Sequence, residues 1–358
     1  MSGVWPPPPG EQPQQGAVAP SSPPPPVHPA QPGWTQPLPP AHKPGAIPLR
    51  PLGLGDMLDG AFRLVRFNPG ATVGASVLVA AVAMAIPLGV TTAMTVTGDS
   101  LEWFGATIED PDYAPGSSEI IGMLVAFGSF FLGSVLQAIG AILVAGMISH
   151  VAHAAAIGRK LTLGQAWTAT HGNRWRLIGL ALLTGVVYTL VVAVAVTPVV
   201  VLAVVVDSPV PAILVGLLMV LLLIVASLFL MVRLYLLAVP ALMLEHTGVF
   251  GAFRRAWQLS SRQFWRLFGI GLLAAVIAGF ASQIISVPVS LVSSFVGIAQ
   301  PDLYFFATIV GSAVSTVVSA AIVTPFTGAV TNLQYLDQRI RKESYEVELM
   351  EQAGLLSG

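Results

Sequence analysis

The chain has 358 residues, 54% hydrophobic and only 9% charged, against roughly 25% charged in an average soluble domain, so much of it cannot face water. A formal net charge of -1 points to no nucleic acid and makes the placement of charge along the chain more informative than its sum. Cysteine is absent, which excludes disulfides, thiolate metal sites, cysteine nucleophiles and S-palmitoylation.

Residues 1–50 form the first region. Of the 29 prolines, 18 lie within the first 51 residues, in runs such as Pro6 to Pro9 and Pro23 to Pro26, with almost no aliphatic residues to build a core. That composition predicts a disordered, partly polyproline II tail. No basic segment followed by an apolar one opens the chain, so no cleavable signal peptide is expected. PxxP spacings such as Pro6 to Pro9 suit an aromatic groove on a partner, although any proline-dense tract produces them. A short helix follows, with Asp56 and Asp59 near its start and Asp59 four residues before Arg63, a pairing that supports a helix rather than catalysis.

Residues 51–340 hold six stretches long and apolar enough to span a bilayer: 71–95, 120–147, 177–206, 210–237, 267–297 and 303–333. An even number leaves both termini on one side. Lys43, Arg50, Arg63 and Arg66 precede the first span, and Arg159, Lys160, Arg174 and Arg176 lie between the second and third. Arg254, Arg255, Arg262 and Arg266 lie between the fourth and fifth, and Arg339, Arg341 and Lys342 follow the sixth. The opposite loops carry acids alone, in "GDSLEWFGATIEDPDY" and at Asp207 and Asp302. The positive-inside rule therefore predicts cytoplasmic termini, residues 341–358 being a short cytoplasmic tail.

The span region repeats. At an offset of ninety, Ala166-Trp167 falls on Ala256-Trp257, Trp175-Arg176-Leu177 on Trp265-Arg266-Leu267, and Pro198 on Pro288. At an offset of 109, Leu52, Leu54, Gly55 and Gly70 fall on Leu161, Leu163, Gly164 and Gly179. Three units of one topology, about 52–160, 161–250 and 251–340, each read as a cytoplasmic amphipathic helix, a span, an outer turn and a returning span. In the third unit Phe250, Phe253, Trp257, Phe264 and Phe268 gather on one helical face, with Arg254, Arg255, Gln258, Arg262 and Arg266 on the other. Such a helix lies in the interface, and each arginine near an anionic leaflet contributes about 1 kcal/mol of attraction. Arg174, Trp175, Arg176, Arg254, Arg255, Arg262, Trp265 and Arg266 are thus the candidate contacts to membrane lipids and anionic headgroups.

The odd spans carry Pro87, Pro198 and Pro288 and are expected to bend there. No ionisable residue falls near a midplane: Arg233 stands 26 residues past Asp207, about 39 Å of helix, at the cytoplasmic interface. Gln137 and Gln283 are the candidate intramembrane polar contacts, most simply as interhelical hydrogen bonds. Ser312, Ser315 and Ser319 with Gly311 suit close helix packing. His150 and His153 share a helical face, with His171 and His246 in nearby loops, but no carboxylate joins them in a metal motif. The outer acidic loop lacks EF-hand spacing and reads as solvated. No GxSxG, Walker A, dinucleotide or paired-acid pattern is present, so neither cofactor nor enzyme activity is expected.

The stretch "PLRPLGLGDMLDGAFRLVRFNPGATVG", 48–74, behind its proline-rich tail, resembles uncharacterised actinobacterial proline- and glycine-rich membrane proteins. These are similar to the membrane domain of some bacterial glycerophosphoryl diester phosphodiesterases. The resemblance covers residues 50–340 and implies that fold and a bacterial inner-membrane location. The phosphodiesterase chemistry belongs to a separate soluble barrel, for which this sequence offers no segment, and no functional residue carries over. The expectation is an all-α, six-span scaffold or accessory protein whose tail meets a cytoplasmic protein. A transporter or lipid-handling permease is the alternative, and a membrane-embedded hydrolase the least favoured.

Overall fold

A computed structural model describes residue 48 and residues 50–97, 116–206, 208–300 and 304–352. Residues 1–47 and 49 of the expected tail, the outer acidic loop, Asp207 and Asp302 lie outside these. Among the described residues every regular element is helical. Six helices are long and apolar enough to cross a membrane, running Gly70–Met94, Ile120–Ala156, Arg174–Val205, Pro209–Leu244, Phe264–Ala299 and Phe306–Glu343.

The first helix, α1 (Leu54–Phe67), begins where Asp56 accepts the Gly53 N–H at 3.1 Å. Asp59 and Arg63 form the expected pair at 2.9 Å. A π-helical turn, Gly70–Gly74, leads into α2 (Ala75–Thr97), and α3 (Ser117–Ala156) returns. Next comes α4 (Leu163–Ala169), capped by Thr162 and Gln165, whose side chains bond each other's backbone N–H at 3.3 and 2.9 Å. The middle hairpin is α5 (Arg174–Val205) and α6 (Pro209–Leu230), continued by a π-helical turn, Met231–Tyr235, and α7 (Ala238–Leu244). Then come α8 (Val249–Ser260), α9 (Phe264–Ala299), α10 (Tyr304–Glu343) and α11 (Tyr345–Gln352).

A short helix thus precedes each odd-numbered span. Two expectations about these helices change. The face of α1 bearing Met57, Gly60, Ala61 and Leu64 is buried, packed largely against α10, so α1 joins the protein core. Phe264 and Phe268 belong to α9, because the chain breaks at Ser261–Gln263, where Arg262 takes a φ of 61°. On α8 the small residues Ala252 and Ala256 face inward while Phe250 and Trp257 face out: small side chains let helix backbones approach, and the aromatic rings are left at the periphery.

Contacts gather the starts of α2, α5 and α9 with the ends of α3, α7 and α10 at one end, which carries the basic residues. Leu161 N–H bonds Asn68 Oδ1 at 3.0 Å, and Arg266 meets Asp337 at 2.6 Å. The core lies there, built on Leu52, Ile148, Leu177, Leu237, Leu242, Leu259 and Leu333. The helices of the second, fourth and sixth spans run past the expected span ends, 147, 237 and 333, because helical hydrogen bonding continues where hydropathy falls. At forty residues, α10 is about 60 Å long, twice a hydrocarbon core of about 30 Å. Pro87, Pro198 and Pro288 sit inside continuous helices.

Candidate functional site

The densest chemistry at the basic end centres on Asp337 of α10, which is wholly buried. Its carboxylate accepts the Leu52 N–H at 2.8 Å, Arg266 Nη1 at 2.6 Å and Arg341 Nε at 2.9 Å. The same guanidinium groups return to the Leu52 carbonyl, Arg266 Nη2 at 2.6 Å and Arg341 Nη2 at 3.1 Å. One residue at the root of the tail is therefore held by both backbone groups, between the start of α9 and the end of α10. A buried carboxylate needs such partners, since an unpaired one would carry a desolvation cost of several kcal/mol.

A second network adjoins it. Glu245, just past α7, accepts Tyr335 Oη at 2.6 Å and pairs with Arg255 at 2.7 Å; Arg255 also pairs with Glu343. Arg339 bonds Glu343 at 3.1 Å and stacks on Tyr345 at 3.6 Å. Burial works against the charge of Arg255, but Glu245 and Glu343 outweigh it and raise its pKa. Burial also pushes the Tyr345 phenol up. Lys342 Nζ gives its hydrogen bonds to the carbonyls of Gln258, Leu259 and Ser261 at 3.1, 2.8 and 3.0 Å, closing the end of α8. With their carboxylates saturated by guanidinium groups, both networks are suited to holding helices together.

The eight candidate lipid contacts divide. Trp175 and Trp265 are 83% and 79% exposed, and Arg254 and Arg262 also face outward. Arg255 and Arg266 are instead engaged by carboxylates. Arg174 stacks on Trp167 at 3.9 Å and donates to the Trp167 carbonyl at 2.6 Å. Arg176 reaches Asn173 Oδ1 at 3.2 Å and the His246 carbonyl at 3.3 Å. In each Trp-Arg pair the tryptophan faces out and the arginine ties loops together, as neighbours about 100° apart on a helix must point in different directions.

Gln137 and Gln283 are not brought together. Gln137 lines a cleft of about 360 Å³ with Ser282, Ser286, Ser315, Ser319 and Thr324, whereas Gln283 is exposed. Ser282 and Ser286, one turn apart on α9, both reach Ser319, at 2.9 and 3.2 Å, and that face excludes Gln283. Gln137 Oε1 is buried without a partner. Ser312 points outward, so the expected small polar stripe is split between cleft and surface. A second cavity of about 260 Å³ shares Val323 and Thr324 with the cleft and has Asn332 and Gln334 in its wall. Their amide nitrogens bond the carbonyls of Gly328 and Leu267, leaving Asn332 Oδ1 and Gln334 Oε1 unpartnered.

His153 Nε2 lies 3.0 Å from Gln352 Oε1 and its Nδ1 3.4 Å from Tyr345 Oη, while His150 Nε2 is buried without a partner. Among the described residues no three His, Cys, Asp or Glu groups cluster as metal ligands would. Sequence reasoning missed Asp337, Glu245 and Glu343. The signal available was the run "LDQRIRKE", 336–343, in which Asp337 and Arg341, and Arg339 and Glu343, are spaced i, i+4.

No curated protein and no solved structure matches this chain. A family model described as "Domain of unknown function (DUF7847)" matches residues 119–336. That stretch is more than half of the sequence, running from α3 through the Tyr335 that bonds Glu245, and the chain belongs to this family.

Proposed function

We propose that this is a multi-pass protein of a bacterial plasma membrane, with cytoplasmic termini, that acts as a non-enzymatic scaffold or accessory by presenting its proline-rich tail to a cytoplasmic protein. The observation that carries the reading is the hold on Leu52, bonded through both backbone groups to Asp337, Arg266 and Arg341. The tail itself supplies PxxP spacings that suit an aromatic groove on a partner. The charge distribution and the positive-inside rule support the orientation, and the resemblance of residues 48–74 supports the bacterial plasma membrane. Three parallel repeats, and kinship with the membrane domain of the phosphodiesterases, complete the proposal.

Proximity labelling in cells, comparing the intact chain with one lacking residues 2–46, tests the function. Loss of a consistent set of neighbours is expected; an unchanged set would refute it. Cysteines placed at Ser2 and Ser117 test the topology: an impermeant reagent added from outside should label Ser117→Cys and leave Ser2→Cys unmodified.

The second reading, a transporter or lipid-handling permease, is favoured by the polar cleft at Gln137, since unpartnered polar groups at membrane depth are costly and often mark a pathway. Gln137→Leu would abolish flux of a transported solute and leave the tail's neighbours unchanged.

A further inference from the structure

Arg233 is the one basic side chain of the π-helical turn Met231–Tyr235, where the Leu236 N–H reaches back five residues to the Met231 carbonyl at 2.8 Å. Such turns interrupt long helices and recur at functional sites. The turn directs Arg233 into a box of three aromatic rings from three elements. Its guanidinium carbon lies 4.9 Å from the Trp257 ring centre of α8, 5.7 Å from Phe264 of α9 and 5.9 Å from Phe229 of α6. The rings brace one another: Phe229 meets Trp257 edge-on at 6.0 Å and Phe264 at 5.9 Å.

Ring faces attract a cation but accept few hydrogen bonds. Arg233 Nε and Nη1 are both buried without an acceptor. Arg255 and Arg266 each have a carboxylate; among the described residues no carboxylate pairs with Arg233. The charge of Arg233 is thus left uncompensated, and its two buried N–H groups require an oxygen acceptor. Trp257 is 45% exposed and Trp265 79%, so the box opens on the aromatic fringe where headgroups of a bilayer lie.

We propose that Arg233, framed by Trp257, Phe229 and Phe264, binds a phosphate group, supplied by an anionic membrane lipid or by free phosphate. A phosphate diester offers several acceptor oxygens to the planar guanidinium fork, and the rings accommodate the apolar part of a lipid. The site is distinct from the Trp-Arg pairs and does not depend on the role of the tail.

Native mass spectrometry of the full chain, released from nanodiscs of phosphatidylcholine and phosphatidylglycerol, provides the test. The wild type should retain phosphatidylglycerol in preference, and Arg233→Gln should weaken that preference about tenfold, the loss of one charge-assisted hydrogen bond. Arg233→Lys, which keeps the charge and loses the fork, should fall between them, and Trp257→Leu should also weaken it. Arg159→Gln, at an exposed arginine in the turn after α3 and outside the candidate lipid contacts, should behave as wild type. Equal retention by Arg233→Gln and wild type, or an equal loss in Arg159→Gln, would overturn the proposal. Inorganic phosphate added in excess separates the sources: displacement of the retained lipid assigns the site to free phosphate, and persistence of the lipid assigns it to the headgroup.

Discussion

The middle hairpin, α5 and α6, is more apolar than the flanking hairpins α2–α3 and α9–α10, yet it is the less buried. None of the most apolar stretch of either middle helix is buried, against 28% and 39% for α2 and α3 and 17% for α9 and α10. Within a membrane, apolar side chains gain little by leaving lipid for protein, so helices associate through close backbone approach and polar contacts. The flanking hairpins have both. Gly140 of α3 leaves room for Val79, Gly311 of α10 leaves room for Ser293, and Ser282, Ser286 and Ser319 bond across α9 and α10. The middle helices present Val192, Val194, Val204, Leu214, Leu217 and Leu221 outward and pack on each other, with the Tyr188 hydroxyl on the Ser227 carbonyl at 3.3 Å. Their firm attachment is at the basic end, where Gly146 of α3 receives Leu177.

Four substitutions and one control test this contrast. Asp337→Leu should have the largest effect, because it strands Arg266, Arg341 and the Leu52 N–H: about 3–5 kcal/mol of stability, seen as a large fall in thermal midpoint in detergent. Gly146→Val acts at the joint itself, since a Cβ there would stand 2.7 Å from Leu177 Cδ1. Overpacking of this kind costs about 1–3 kcal/mol, and protease sensitivity of the middle hairpin should rise. Gly128→Ala, with open space around its Cβ, serves as the control. Thr162→Ala removes the cap of α4 and should cost about 1 kcal/mol, read as faster amide exchange in that helix. Leu217→Ala, on a residue 66% exposed, should change stability by less than about 0.5 kcal/mol. A loss there as large as at Gly146 would mean that the middle hairpin is packed against something more than lipid.

The spans were legible because length and hydropathy suffice to mark them, and Trp175 and Trp265 lie at helix starts because amphipathic rings punctuate the change from polar to apolar sequence. The burial of α1 was not legible: an amphipathic helix reads the same whether its apolar face meets lipid or, as with Met57 and Leu64, protein. Asp337 was hidden by the same arithmetic that gave the expected orientation, which counted cations in loops and passed over acids among them. Gln137 and Gln283 look alike in sequence, and only the rotation of α9, fixed by Ser282 and Ser286 against Ser319, separates them.

The account turns on whether the root of the tail is built into the core. Hydrogen exchange followed by mass spectrometry over residues 50–57, in the wild type and in Asp337→Asn, measures this directly. Slow exchange at Leu52 in the wild type, accelerated in the variant while α3 stays protected, is the predicted result. Fast exchange at Leu52 in both proteins would contradict it, leaving the tail loosely tethered and the scaffold reading without its main support.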